Sequence, residues 1–297
     1  MSYRWSNLTE AVRDQHSPLR SYLDWRFPRT RMLQRGYREG GGELLVDGGG
    51  APGTVGAAFD LMIRFALDES YEAKLALEAF RSPQQLRALK KVVKAAQHAV
   101  TTNDLDQLAR ASWALALAIE VYRVRLRPGS PLTALRHDQF TPSALFALAS
   151  DDARRQLQAL YTLAQVRLLP QTLPAQRIDL GPTFDGSEFC AADADVISDG
   201  CLLDLKTRLG ISDSRTGRRS DRLPLADLHQ LLGYVLFDRS DRYAIRSIGI
   251  YSARYGYLVT WPLSEALTTL AGCPIDLAAE REVVWRILGG PCRAAHC

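Results

Sequence analysis

The chain has 297 residues, of which 46% are hydrophobic and 24% charged, with a net charge of +4. Those proportions are globular and exclude a wholly disordered chain, a collagen and a coiled coil. No apolar run reaches the roughly 18 residues a membrane-spanning helix needs, and the opening residues Met1 to Gln15 lack the apolar core of a secretory signal, so a cytoplasmic protein without a membrane partner is expected.

Only five of the 37 basic residues are lysines: Lys74, Lys90, Lys91, Lys94 and Lys206. The rest are arginines, whose planar guanidinium matches phosphate oxygens; a compositional bias of the genome would give the same excess. The five cysteines form no C-x-x-C pair, so reduced thiols are the simplest reading. Cys292, His296 and Cys297, with Cys273, could form a zinc site only if the tail folds back.

Residues 1–56 are irregular and rich in Arg and Gly. Glycine triplets at 40–42 and 48–50 flank Glu43-Leu-Leu-Val-Asp47, which is predicted as a short strand or hairpin. Gly50, Gly53 and Gly56 have the spacing of a phosphate loop, but no Gly-Lys-Ser/Thr follows; a tight connection into an apolar helix from about Ala57 is expected. Residues 57–168 read as helical. One stripe runs through Leu86, Leu89, Val93, Ala96 and Val100. Asn103 or Asp104 caps a second, with Leu105, Leu108, Leu115, Ile119 and Tyr122 on one side. A further helix is predicted from Pro142 to Leu169.

After Pro170 the pattern changes to short alternating segments, one amphipathic helix and a last helix over 263–288. The fold class expected is α/β: a mainly helical region over 1–170, then a smaller mixed sheet flanked by helices over 171–297.

The informative stretch is Ala192-Asp-Ala-Asp-Val-Ile-Ser-Asp-Gly-Cys-Leu-Leu-Asp-Leu-Lys-Thr207. Asp199-Gly200 predicts a two-residue hairpin turn, because both positions tolerate positive φ. The register then opposes Ser198 to Cys201, Ile197 to Leu202, Val196 to Leu203, Asp195 to Asp204 and Asp193 to Lys206. Period-two alternation puts Asp193, Asp195, Asp204 and Lys206 on one face, and Ala194, Val196, Leu203 and Leu205 on the other. Two carboxylates at cross-strand distance repel each other. A hard divalent cation, Mg²⁺ or Mn²⁺, is the natural compensation. Farther on, Ser220 or Asp221 is expected to cap a helix with Pro224 in its first turn, along which Asp227, Gln230 and Tyr234 share a face.

An Asp, a hairpin, Asp204-Leu-Lys206-Thr207 and a downstream Gln230-x-x-x-Tyr234 helix together resemble the PD-(D/E)XK nuclease superfamily, its RecB-like branch most closely. The resemblance covers about residues 178–262. It implies a PD-(D/E)XK-type core and a metal-dependent nuclease, with DNA favoured over RNA, acting in DNA processing, repair or defence. It implies Asp195 and Asp204 as metal ligands, Lys206 as the catalytic lysine, and Gln230 with Tyr234 as the helix motif. It also implies an upstream acid on a preceding helix, for which Glu120 is the candidate; a salt bridge from Glu120 to Arg123 or Arg127 is the competing reading. A catalytically silent nucleic-acid-binding or scaffold protein on the same fold is the alternative function.

Nucleic acid is expected along the basic segment Lys206 to Arg222, through Arg208, Arg215, Arg218, Arg219 and Arg222, with Arg254 and Arg246 nearby. Six arginines between Arg20 and Arg38, interleaved with Tyr22, Trp25, Phe27 and Tyr37, admit two readings: stacking and phosphate contacts, or aromatics packed onto the helical part. The helical region is also where a protein partner would bind.

Overall fold

The computed structural model describes residues 3–124 and 129–290. Three helices open the chain: α1 (Leu8–Arg13), α2 (Pro18–Arg26) and α3 (Arg31–Gly40). Next come α4 (Pro52–Leu67), α5 (Lys74–Glu78), α6 (Pro83–Thr102), α7 (Leu105–Val124), α8 (Pro142–Phe146), α9 (Asp151–Arg167) and α10 (Leu169–Thr172). The rest of the chain alternates: β1 (Ile178–Leu180), β2 (Val196–Ser198), β3 (Cys201–Lys206), β4 (Ile211–Ser212), β5 (Arg219–Ser220), α11 (Leu225–Phe237), β6 (Ser247–Ser252), β7 (Tyr257–Pro262), α12 (Leu263–Ala271) and α13 (Leu277–Ile287). The class is mixed α/β, and no helix among the described residues is long and apolar enough to cross a membrane.

Five strands form one sheet in the order β1-β2-β3-β6-β7. All neighbours are antiparallel except β3 and β6, which run parallel. A parallel pair needs a crossover, and α11 lies within it. Each face of the sheet packs on a separate apolar cluster. Leu203 and Tyr251 point into one, with α4, α6, α7 and α9. Ile197, Leu202, Ile248 and Ile250 point into the other, with α1 to α3 and α11 to α13. Residues from both sides of position 170 therefore build both clusters. Leu203 lies over Gly249 on the neighbouring strand, where a Cβ would stand 2.8 Å from the leucine side chain.

The hairpin turn forms as expected, with Asp199 at φ 46° and Gly200 at φ 77°, and the pairs Ser198–Cys201, Ile197–Leu202 and Val196–Leu203 follow. There the ladder stops. Asp193 bridges Thr183 instead of facing Lys206, and Ala194 packs with Ile197 and Leu202, not with Leu203.

Other elements differ from the sequence reading for local reasons. Glu43–Asp47 forms no strand; Leu45 and Val46 both donate their N–H to the single carbonyl of Arg254. Helix α4 begins at Pro52, whose missing N–H costs nothing in a first turn. The expected 142–169 helix is interrupted, because Ser150 accepts from the Ala153 N–H and starts α9 afresh with Asp151 and Asp152 in its first turn. The expected 263–288 helix breaks at Gly272, φ 78°, with Pro274 beyond it. Asn103 ends α6 in the left-handed conformation while Asp104 accepts from the Gln107 N–H of α7, so the two residues serve different helices. Within the basic segment, residues 213–218 are the turn of a small β4–β5 hairpin.

Candidate active site

Strand β3 carries Asp204 and Lys206 on one face, and α11 brings Asp227, Gln230 and Tyr234 over it at helical spacing. The Lys206 Nζ lies 2.7 Å from Asp204 Oδ2 and 3.8 Å from Asp227 Oδ1. It also donates to Gln230 Oε1 at 3.2 Å, and Gln230 Nε2 donates to the Tyr234 hydroxyl oxygen at 2.7 Å. The lysine is thus held at one position by two carboxylates and an amide. Asp204 is only 2% exposed, and its Oδ2 has no well-directed hydrogen bond despite the close ammonium.

Asp195 reaches the same place by a different route. Its backbone has left the β2–β3 ladder, and its Oδ2 accepts the Leu205 N–H at 2.6 Å, between Asp204 and Lys206. Burial raises the Asp204 carboxyl to about 7, with Asp195 adding to the rise and Lys206 opposing it. Burial also raises Asp195, to about 6, with help from Asp60 and against Lys206 and Arg64. For Lys206 burial works the other way, but Asp204, Asp227 and Asp195 outweigh it and hold the ammonium pKa above normal. Tyr234 is pushed well above its usual range by burial and the nearby carboxylates, so it acts as a neutral hydroxyl.

The acid that couples to Asp195 from a preceding helix is Asp60, on α4, which sequence reasoning missed. Burial raises its pKa against the pull of Arg64, whose Nε lies 2.8 Å away, and Asp193 adds to the rise. A signal was present: Asp60 and Arg64 are the only charges in the apolar run 57–67, one helical turn apart. Glu120 is half-buried on α7 and makes no hydrogen bond or ion pair with Asp195 or Asp204. Nor does it form the competing salt bridge to Arg123, which pairs with Asp193 at 2.8 Å; Arg127 lies outside the described residues. Beside Arg64 and Asp193 opens a cleft of about 1020 Å³, whose walls include Tyr71, Thr183 and Tyr243.

Of the arginines expected to meet nucleic acid, Arg208 and Arg254 are committed within the protein. Arg208 forms ion pairs with Asp221, at 2.8 Å, and with Asp227. Arg254, 2% exposed, donates to the carbonyls of Thr207, Val46 and Asp47 and to Gln156. Asp221, expected as a helix cap, is instead buried under Arg208 and accepts from the Tyr37 and Ser252 hydroxyls; Pro224 takes the cap position of α11. Arg215, Arg218, Arg219 and Arg222 are exposed on and just after the β4–β5 hairpin. Arg218 pairs with Glu43 at 2.6 Å, both groups in solvent. Arg246 donates to the Asp199 carbonyl and steadies the β2–β3 turn.

Tyr22, Phe27 and Tyr37 are buried, but in the second apolar cluster, with the sheet and α11 to α13 rather than on the helices of 57–168 where the packing reading put them; Trp25 is 74% exposed. Cys273 is exposed; Cys292, His296 and Cys297 lie outside the described residues, and the zinc reading with them.

Among the described residues no three His, Cys, Asp or Glu side chains are gathered closely enough to hold a metal ion. The Asp195–Asp204 pair nevertheless suits Mg²⁺, which keeps most of its waters and is commonly bound through one or two carboxylates. A buried carboxylate oxygen without a hydrogen-bond partner among the described residues, beside a second acid that raises its pKa, has room for further positive charge. No protein-family model, no curated protein and no solved structure matches the chain.

Proposed function

We propose that the protein is a metal-dependent phosphodiesterase of the PD-(D/E)XK type, RecB-like in its helix motif, acting on nucleic acid and on DNA before RNA. The observation that carries the reading is the convergence of Asp195, Asp204 and Lys206 with Gln230 and Tyr234, from the residue before β2, strand β3 and helix α11, at one partly buried place. Raised carboxyl pKa values in such a cluster are a mark of functional sites.

In this reading Asp195 and Asp204 hold Mg²⁺ or Mn²⁺, with Asp60 behind Asp195. The ion supplies charge neutralisation at the phosphate and activation of water. Lys206, kept charged by its carboxylates, stands where it can offset negative charge developing on the phosphate. Gln230 fixes the position of Nζ, and Tyr234 fixes Gln230. The Leu205 N–H orients the Asp195 carboxylate.

The alternative, a silent nucleic-acid-binding or scaffold protein, draws support from the absence of a third close ligand among the described residues. A time course with labelled single- and double-stranded DNA and RNA, in Mg²⁺, Mn²⁺ or EDTA, separates the two. Metal-dependent cleavage lost in folded Asp204→Ala and Lys206→Ala supports the enzyme. Full cleavage by folded Asp204→Ala overturns the assignment, and binding without cleavage under every condition favours the silent module.

A further inference from the structure

Two basic segments that are about 180 residues apart in sequence meet in the fold. Helix α3 packs on the segment that leaves the β4–β5 hairpin: Gln34 Nε2 donates to the Leu223 carbonyl at 2.9 Å, and the Tyr37 hydroxyl donates to Asp221. Arg208 Nη2 completes the junction, donating to the Tyr37 hydroxyl oxygen at 3.3 Å. Leu33 and Tyr37 are the buried side of α3. Arg31, Arg35 and Arg38, at i, i+4 and i+7, form a stripe on its opposite side. All three are exposed, and none makes an ion pair with a described residue.

Across the junction stand the exposed arginines of the hairpin. Arg215 and Arg222 make no side-chain ion pair among the described residues either. The nearby acids are few. Asp213 is occupied in the hairpin turn, accepting from the N–H groups of Arg215 and Thr216, and Glu43 meets only Arg218. Glu39 is the one acid within α3. Unpaired guanidinium groups lined along one helix, and again along the hairpin, repel their neighbours, so a polyanion is the partner their charge fits.

We infer that α3 and the β4–β5 hairpin form a single face that grips the nucleic-acid backbone next to the candidate active site. The face is tied to that site through buried side chains: Arg208 bridges Asp221 to Asp227, and Asp227 lies 3.8 Å from the Lys206 ammonium. Substrate held there is thereby registered against the Asp204–Lys206 strand. This inference rests on the nucleic-acid reading above and adds the surface that delivers the substrate. It assigns to α3 a role that the sequence left between stacking and packing.

The test is binding, measured apart from cleavage. Full-length protein in EDTA is titrated against a fluorescent 30-base-pair DNA duplex and the matching single strand, at several salt concentrations. The proteins are wild type, Arg31→Ala/Arg35→Ala/Arg38→Ala, and Arg215→Ala/Arg219→Ala/Arg222→Ala; all six positions are exposed, and circular dichroism checks the fold. Each neutralised phosphate contact contributes about 0.9 to the slope of log K against log salt on a duplex and about 0.7 on a single strand. The α3 variant is expected to lose about 2 to 3 from the duplex slope, the hairpin variant a similar amount, and both to bind at least tenfold more weakly at low salt. An unchanged slope in the α3 variant, beside a reduced one in the hairpin variant, overturns the joint face and leaves the proposed function standing. No binding by wild type overturns both.

Discussion

The Asp195 carboxylate accepts the Leu205 N–H at 2.6 Å, so a side chain from just before β2 stands in for a backbone partner near the end of β3. This single bond places one acid beside the other, because Leu205 lies between Asp204 and Lys206. It also separates structure from chemistry at this position. Asp195→Asn keeps an acceptor oxygen for Leu205 and removes a charge that Asp204 and Asp60 both oppose. Its thermal midpoint in EDTA is expected to equal or exceed that of wild type, while metal-dependent cleavage falls at least 100-fold. Asp195→Ala leaves the N–H unpaired and is expected to lose about 1–3 kcal/mol in urea unfolding.

Lys206→Met tests the ammonium. Its side chain is about one-fifth exposed and Asp204 is nearly sealed, so the variant leaves a buried carboxylate without its cation. Breaking such pairs costs about 3–5 kcal/mol when fully buried; partial solvent access lowers the expectation to about 2 kcal/mol at pH 8. The loss should shrink in Lys206→Met/Asp204→Asn. A double variant as unstable as the single one at pH 8 would show that the two side chains are not coupled.

Arg208 and Arg222 are close in sequence and opposite in environment. Arg208→Ala strips Asp221 and Asp227 of their guanidinium and is expected to destabilise the protein by about 3 kcal/mol. In the fraction that folds, the salt slope of DNA binding should stay as in wild type. Arg222→Ala should change stability by less than about 0.5 kcal/mol and lower the slope. Urea unfolding with anisotropy titrations reads both.

Proton release should accompany Mg²⁺ binding. Asp195 and Asp204 have carboxyls raised to about 6 and about 7, and Mg²⁺ takes carboxylates. Affinity is therefore expected to rise with pH until about 7 and to level off above it. Calorimetry in buffers of different ionisation heat counts the protons: release near pH 6 and almost none at pH 8. In EDTA the same raised pKa values mean that the native state holds protons the unfolded chain has lost. The two acids' contribution to stability accordingly falls as pH rises from about 4 through about 7. A pH-independent Mg²⁺ affinity between pH 6 and 8 would contradict this account.

His229 acts in the opposite direction. It is fully buried on α11, and neither ring nitrogen has a hydrogen-bond partner among the described residues. Burial lowers its pKa to about 4, Arg20 adds to the lowering, and Asp24 opposes it. Between the unfolded value of about 6.5 and about 4, the unfolded chain takes up a proton that the native state refuses, so this contribution is lost as pH falls through that window. The full difference is about 3 kcal/mol below pH 4, at 1.36 kcal/mol per unit. His229→Leu is expected to flatten the acid side of the stability profile, as read by urea midpoints from pH 4 to 7.5. An unchanged profile would mean that His229 does not titrate this way.

The elements legible in the sequence were those set by local chemistry. Asp199-Gly200 determined its own turn, and the turn dictated which residues pair for three steps, because period-two alternation carries register outward from a fixed point. The helical stripe of α6 and the shared face of Asp227, Gln230 and Tyr234 were likewise written in spacing. Helix ends were less visible. Ser150 and Gly272 end or restart helices through hydrogen bonds and a left-handed backbone that compete closely with continuation.

Tertiary structure alone decided the rest, since it depends on contacts between distant segments. No spacing relates Asp60 to Asp195, which are 135 residues apart in sequence, or Tyr37 to Asp221. Arg208 and Arg222 read alike in a basic run, and only packing buries one charge against Asp221 and Asp227 while leaving the other in water. Sequence sets the residue types and local periodicity; burial, which raises the carboxyls and commits or frees each arginine, exists only once helices from both ends of the chain close over the sheet.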